Sequence, residues 1–405
     1  MATFLPFAAL RPNPEKAALV SAVPYDVVNS QEAAWLAEGN PLSFLHVSRP
    51  EIDMAPGIDL HSDEVYEQAG KAFAKLIAEA PLIVEEEKCF YVYTLVMNGR
   101  SQTGVFGVAS AEEYRNGIIK KHEKTRQDKE DDRTRHVMTL RSHTGPAFFT
   151  YRPDAAVAAA IAEAMKIAPL FDFTSPDGIS HTLRRMDAED SQKLAKLFEA
   201  VPCFYIADGH HRSAAAARTA AECADPDPKA ECNFFLACAF PADELAILPY
   251  NRFVHDLNGK SAAEFLTEME RTFNITATRI KTPAKGGEFA MYLEGEWYCL
   301  ACRFDPATLG VIERLDVSIL QDNVLGPLLG IDDPRTSTRI EFVGGIRGTA
   351  ELEKLVDAKP GSVAFSMYPT TVEQLMDIAD SGNIMPPKST WFEPKLRDGL
   401  VSHNF

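Results

Sequence analysis

Between Val201 and Arg212 the chain reads VPCFYIADGHHR, and it continues into SAAAARTAA. The short, continuously apolar run Val201 to Ala207 suits a buried strand and the alanine-rich stretch suits a helix, so Asp208 and Gly209 must make the turn between them. Gly209 lets the backbone turn sharply. The first amides of the following helix would point unpaired N–H groups outward, and the helix dipole adds partial positive charge, which together suit an anion. Arg212 supplies a planar fork of donors for phosphate or carboxylate. Asp208 is suited to hold a histidine in one tautomer or to ligate a magnesium ion, while His210 and His211 point to different sides and can do two jobs. The plainer reading is a capped helix in which Asp208 accepts backbone N–H bonds and the histidines are ordinary residues. Two histidines between Asp-Gly and Arg are costly for capping alone, and the functional reading is preferred.

Any phosphate-bearing ligand must be held against the global field. The 405 residues carry 41 Lys+Arg and 58 Asp+Glu, a net charge of 41 − 58 = −17. That charge repels a phosphate backbone, and no helix-turn-helix is recognisable, so neither nucleic acid nor an anionic membrane is an expected partner. Clustered Lys and Arg are therefore informative. With 46% hydrophobic and 24% charged residues the composition is that of a globular protein, and at this length two or three units are expected. The seven cysteines are odd in number and follow no disulfide framework, which suggests a reducing compartment. The opening MATFLPFAALRPNPEK lacks a basic n-region, and no apolar stretch reaches the roughly 18 residues of a membrane span. A cytoplasmic location is expected.

Residues 88–109 form two β-rich runs joined by Asn98-Gly99, the signature of a type I′ hairpin. From about Glu112 to Leu140 the chain is strongly charged and helix-compatible until Gly145-Pro146 breaks it. Amphipathic helices are expected over 154–168 and 189–200. The C-terminal third offers a hairpin in EFAMYLEGEWYCLACRF, a helix near Val317 to Leu329, and strands at RIEFVGG and VAFSMYP. Without a regular βαβ rhythm the expectation is an α+β fold, mixed sheets with helices. Three regions are expected: 1–110, 111–260 with both polar motifs, and 261–405, all of which could be one interwoven unit.

The second polar motif is Lys120-Lys121-His122-Glu123-Lys124-Thr125-Arg126, continuing to Lys129, Asp132 and Arg133. Residues 120–135 hold seven Lys or Arg and five Asp or Glu, a local balance of +2. On a helix, Glu123, Arg126, Lys129 or Glu130, and Arg133 would share a face, offering a carboxylate for proton abstraction beside cations for phosphate. Arg126 stands where a zinc-protease signature needs a second histidine. The alternative is a solvated helix laced with ion pairs of little consequence. A third segment, MPPKSTWFEPK at 385–395, brings Lys388 and Lys395 on a proline-bounded loop suited to complete a ligand site, or else uses Trp391 and Phe392 to anchor the tail. PYDVVN at 24–29 and NPLSFLH at 40–46 say only "turn". Cys299-Leu-Ala-Cys302 has no second pair at zinc spacing and reads as core. There is no Walker A loop, dinucleotide-binding G-x-G-x-x-G or G-x-S-x-G elbow.

Seven ordered motifs, VPYDVV, NPLSFLHVSRPE, GIIKKHEKTRQDKEDDR, Gly145-Pro146, YIADGHHR, ILPYNR and MPPKSTWFEPKL, resemble the bacterial and archaeal family known as domain of unknown function 1015, from about residue 23 to 398. Ser213 stands where that family often has tyrosine, and Tyr250-Asn251 where Thr-His is usual before Arg252. Over about 20 residues the strand, DGHHR turn and helix are also similar to the phosphate-binding turn of free-serine kinases in the ParB/sulfiredoxin-like superfamily. That resemblance implies a ParB/sulfiredoxin-like phosphate-binding core, with Asp208, Gly209, His210, His211 and Arg212 contacting ATP or ADP and Mg2+ nearby, and a separate glutamate as base.

These readings lead to an expected nucleotide-dependent phosphotransferase, a kinase acting on a small hydroxyl metabolite, free L-serine first. Glu123, Asp208, His210 and His211 would be catalytic and Asp208 the metal ligand. Gly209, Arg212, Lys120, Lys121, His122, Arg126, Arg133, Lys388 and Lys395 would bind phosphate or nucleotide. The rivals are a phosphohydrolase or nucleotidase using the same site, and a non-catalytic sensor of nucleotide or phosphometabolite. The assignment requires Glu123 and Asp208 to meet in one cleft.

Overall fold

A computed structural model describes residues 2–405. The chain folds into two compact units, one comprising the chain to Leu245 together with Pro394–Phe405, the other Ala246–Glu393. The architecture is mixed α+β in both.

The first unit is built on a nine-stranded sheet: β1 (Phe4–Leu5), β2 (Tyr91–Met97), β3 (Arg100–Ser110), β4 (Ile119–Lys120), β5 (Ala147–Tyr151), β6 (Phe171–Thr174), β7 (Ser180–Arg185), β8 (Phe204–Asp208) and β9 (Phe234–Pro241), in the order β4-β8-β5-β9-β3-β2-β7-β6 with β1 beside β3. The β2–β3 hairpin turns through Asn98 (φ 52°) and Gly99 (φ 78°), the positive φ pair that a type I′ turn requires. Aromatic side chains, among them Phe4, Phe90, Phe149, Phe198 and Phe204, fill the core on this sheet. Gly107 is obligatory there, because a Cβ would come within 2.7 Å of the Phe90 ring and 2.8 Å of Phe4.

Two pairings position the polar motifs. β8 runs parallel to β4, with Phe204 opposite Ile119 and Tyr205 opposite Lys120, so the segments that follow both strands leave from the same end of the sheet. β5 is antiparallel to β8, with Phe148 opposite Asp208, so the Thr144-Gly145-Pro146 segment before β5 arrives at that same end. Helix α1 (Asp63–Glu79) packs on α3 (Gln127–Leu140), and α3 and the short α2 (Ala111–Arg115) pack on α4 (His210–Cys223), whose buried Ala214 to Ala217 permit close approach. The helix-compatible stretch 112–140 is not helical throughout. Gly117 (φ 81°) ends α2, strand pairing recruits Ile119 and Lys120, and α3 begins only at Gln127, so residues 121–126 are a loop. The tail returns to this unit: Ala22 and Asp398 exchange backbone hydrogen bonds of 3.1 and 2.9 Å, and Ser402–Asn404 joins a small sheet beside Ala9–Arg11.

In the second unit six antiparallel strands, β10 (Tyr250–Val254), β11 (Phe273–Thr278), β12 (Glu288–Leu293), β13 (Glu296–Cys302), β14 (Ile340–Gly344) and β15 (Val363–Met367), lie in the order β11-β13-β12-β15-β10-β14. Trp391 packs edge-on against Tyr250 at 5.0 Å, anchoring its loop to this sheet. Asn251 Oδ1 accepts the Met367 N–H at 3.0 Å, a structural role where the family's usual histidine is missing. The seven cysteines are free thiols, Cys299 and Cys302 half-buried among them. No helix is long and apolar enough to cross a membrane among the described residues.

Candidate active site

β8 ends on Asp208 and the chain turns at Gly209, which has φ 87° and ψ 33°, before α4 starts at His210. One carboxylate oxygen of Asp208 accepts the Gly209 N–H at 2.8 Å and the other accepts Lys395 Nζ at 3.0 Å. Arg212 Nη2 lies 3.8 Å from the first. Burial opposes the charge on Asp208, but Lys395 and Arg212 outweigh it and hold the carboxyl well below the usual range. Asp208 is thus a half-buried anion already paired with cations. Each of its oxygens takes one hydrogen bond, which leaves a lone pair on each for a further donor or cation.

The loop after β4 comes to the head of α4. The His122 and His210 rings meet edge to face, with centroids 4.4 Å apart and planes at 90°. They are only 2% and 4% exposed. His210 Nδ1 lies 3.8 Å from Glu123 Oε2, the carboxylate side chain itself being 54% exposed. Burial pushes the His122 imidazole down to about 4 against the favourable field of Asp208, and burial with the neighbouring His122 drives His210 well below the ordinary histidine range. Both are neutral imidazoles at pH 7 and supply no positive charge to a phosphate. His211, on another side of the helix, accepts the Arg126 N–H on Nε2 at 3.1 Å, which fixes the tautomer protonated at Nδ1 if the ring is neutral, and burial lowers its proton affinity as well.

The remaining expected binding residues divide. Lys120 lies 6.0 Å from the Tyr205 ring centroid and Lys121 lies 4.3 Å from that of Tyr114. Arg126 is exposed and grips Asp128 with two hydrogen bonds of 3.1 and 2.8 Å. Arg212, expected to reach phosphate, is buried: it donates to the Pro146 carbonyl and lies 3.5 Å from Asp26 Oδ2. Its guanidinium tucks under Gly209, where an added Cβ would be 3.1 Å from Cζ, and so braces the turn. Arg133 stacks over the Tyr25 ring at 4.1 Å and pairs with Asp132 at 2.7 Å. Because the segment before Gln127 is not helical, Glu123 and Arg126 do not share a helix face with Arg133; tertiary pairing, not helical spacing, places Glu123. Lys388 belongs to the second unit, where its Nζ is 3.5 Å from Tyr250 Oη and its carbonyl accepts from Arg252 at 3.2 Å.

A cleft is lined by Tyr25, Arg133, His136, Thr144, Arg212 and Asp398, of which Arg133 and Arg212 were expected at a site. Tyr25 lies in a segment whose sequence says only "turn", and Asp398 carries no local signal at all. Asp398 Oδ1 is buried without a hydrogen-bond partner, and burial pushes the carboxyl up to about 7.

A family model described as protein of unknown function (DUF1015) matches residues 4–318, and the chain belongs to that family. A search of curated proteins finds no match. Among solved structures, the chain is similar to a free serine kinase in complex with AMP, at 14% identity and a TM-score of 0.35, over 73% of this chain and 92% of the other. It is similar to a conserved hypothetical protein from Pyrococcus furiosus at 16% identity and a TM-score of 0.35, over 73% and 94%. It is also similar to SbnI with a C-terminal truncation from Staphylococcus aureus at 10% identity and a TM-score of 0.37, over 72% and 85%. Similarity of this size says nothing of activity.

Proposed function

We propose that this protein is a nucleotide-dependent phosphotransferase acting on a small hydroxyl metabolite, with free L-serine the first acceptor to test. The observation that carries the reading is the 3.8 Å approach of Glu123 to His210 at the head of α4, next to the Asp208–Lys395 pair. An exposed carboxylate then stands beside a helix N-terminus whose first amides have no intrahelical acceptor. Phosphoryl transfer asks mainly for positioning and for positive potential around the transferred group. In this reading the amides of α4, with Lys120, Lys121 and Lys395, face the phosphates of ATP or ADP. Glu123 takes the proton from the acceptor hydroxyl as its oxygen bonds to phosphorus and the nucleotide leaves, a contribution of about 10² to 10⁴ in rate. Asp208 holds Lys395 in place, and neutral His210 orients the base. The likeness of the DGHHR turn to the phosphate-binding turn of free-serine kinases supports nucleotide as donor.

Phosphorus NMR of the full chain with Mg2+ and ATP or ADP, with and without amino acids and small alcohols, tests the reading. A new phosphomonoester signal, absent with Glu123→Gln, is the expected result. Inorganic phosphate alone would assign a phosphohydrolase instead. Nucleotide binding without turnover in either condition would assign a sensor.

A further inference from the structure

We propose that His122, Glu123 and His210 form a binding site for a divalent transition-metal ion of the zinc and cobalt class. One ligand atom from each residue lies within 4.8 Å of the others. Metal–ligand bonds of about 2.0–2.1 Å in a tetrahedral site place ligand atoms about 3.3 Å apart, so the site closes on an ion by side-chain shifts of about 1 Å.

The two imidazoles make the case. At least one nitrogen of His122 is buried without a hydrogen-bond partner among the described residues, the ring finding only the Ile206 backbone. A buried polar nitrogen left unpaired is unfavourable, and such rings normally donate to a carbonyl or accept from an amide. Here the edge of one ring instead meets the face of the other at 4.4 Å. Glu123 closes the third side with an oxygen 3.8 Å from His210 Nδ1, and its 54% exposure leaves the outer side open for water or an anionic oxygen as fourth ligand. Two imidazoles and one carboxylate select zinc, cobalt or nickel over magnesium, which prefers oxygen alone. The inference goes beyond the phosphotransferase reading and does not depend on it.

The test is titration of the chelator-stripped full chain with Co2+ in the absence of nucleotide, read by visible absorption, followed by displacement with Zn2+. One equivalent should produce the d–d bands of a low-coordinate nitrogen and oxygen site, without the near-ultraviolet sulfur-to-cobalt band that any of the seven cysteines would add. Glu123→Gln, on the exposed side of the site, should weaken binding by about tenfold or more, and His210→Gln by about 100-fold. Failure of the wild-type chain to develop the bands, a sulfur-to-cobalt band in their place, or undiminished affinity with Glu123→Gln would each overturn the site. The wild-type spectrum and the Glu123 variant keep the test decisive if the buried His210 variant does not fold. Metal binding with no phosphoryl transfer would leave this site standing and remove the phosphotransferase. Phosphoryl transfer without metal binding would do the reverse.

Discussion

Lys395 Nζ lies 3.0 Å from Asp208 Oδ2, a contact spanning 187 positions that joins the tail of the chain to the turn at the head of α4. The pair is shielded, with side chains 15% and 27% exposed. Removing one member of such a pair leaves the other charge uncompensated. Asp208→Asn should lower unfolding stability by on the order of 3 kcal/mol. Lys395→Met in that background should cost much less than in the wild type. Urea unfolding of the two single variants and the double variant measures the coupling, and additive losses would show that the contact carries no energy.

Gly209→Ala tests the backbone. At φ 87° the residue sits where a Cβ is disfavoured, and the new methyl would come 3.1 Å from the Arg212 guanidinium and 3.3 Å from Ala147 Cα. A loss of about 1–2 kcal/mol is expected from the conformation alone, with more from displacing Arg212. Thermal unfolding checks the stability, and nucleotide titration should show weakened binding because the first amides of α4 are re-aimed. A variant as stable as the wild type would contradict the turn geometry.

Glu123→Gln separates base from binding. The substitution keeps shape and hydrogen-bonding capacity but removes the proton acceptor, so turnover should fall by about 10² to 10⁴. Affinity for nucleotide should stay close to that of the wild type. Single-turnover kinetics alongside equilibrium titration would distinguish the two effects; equal losses in both would move Glu123 from base to phosphate-site organiser.

Asp398→Asn bears on pH. Asp398 is 2% exposed, and burial lifts its carboxyl to about 7; Arg212, Arg133 and Arg397 pull it down and Asp26 pushes it up. A carboxyl with a raised folded-state value binds its proton more tightly in the native protein. Its stabilising contribution is therefore complete below the unfolded value of about 3.9 and is lost as pH rises toward 7. The asparagine variant is spared that loss. Its stability relative to wild type should improve by about 2–3 kcal/mol between pH 5 and pH 8, as followed by denaturant unfolding. A difference that stays flat over that range would mean that Asp398 is ionised throughout.

Much of the local structure is legible in the residues. Asn98-Gly99 specifies the hairpin because both positions need positive φ, and the apolar run into Asp208-Gly209 before an alanine-rich stretch specifies strand, turn and helix. Where the residues mislead is the helix-compatible stretch 112–140, which is helical only at its two ends. Charge and helix propensity favour a helix, but the edge of a sheet claims Ile119 and Lys120. Tyr25, Asp26 and Asp398 are silent for a related reason. Each is an ordinary turn or tail residue until the fold packs it against Arg212 or Arg133.

What the sequence determined by itself is therefore the chemistry of the turn. Gly209 and its neighbours fix a conformation that depends only on their own backbone and side chains. Tertiary structure alone decided that Glu123 stands beside His210, because parallel pairing of β4 with β8 is a register between distant segments that no local pattern specifies. It also decided that Arg212 braces the turn rather than reaching outward, and that His122 and His210 are neutral. Proton affinity follows burial and neighbouring charge, and both exist only once the chain has packed.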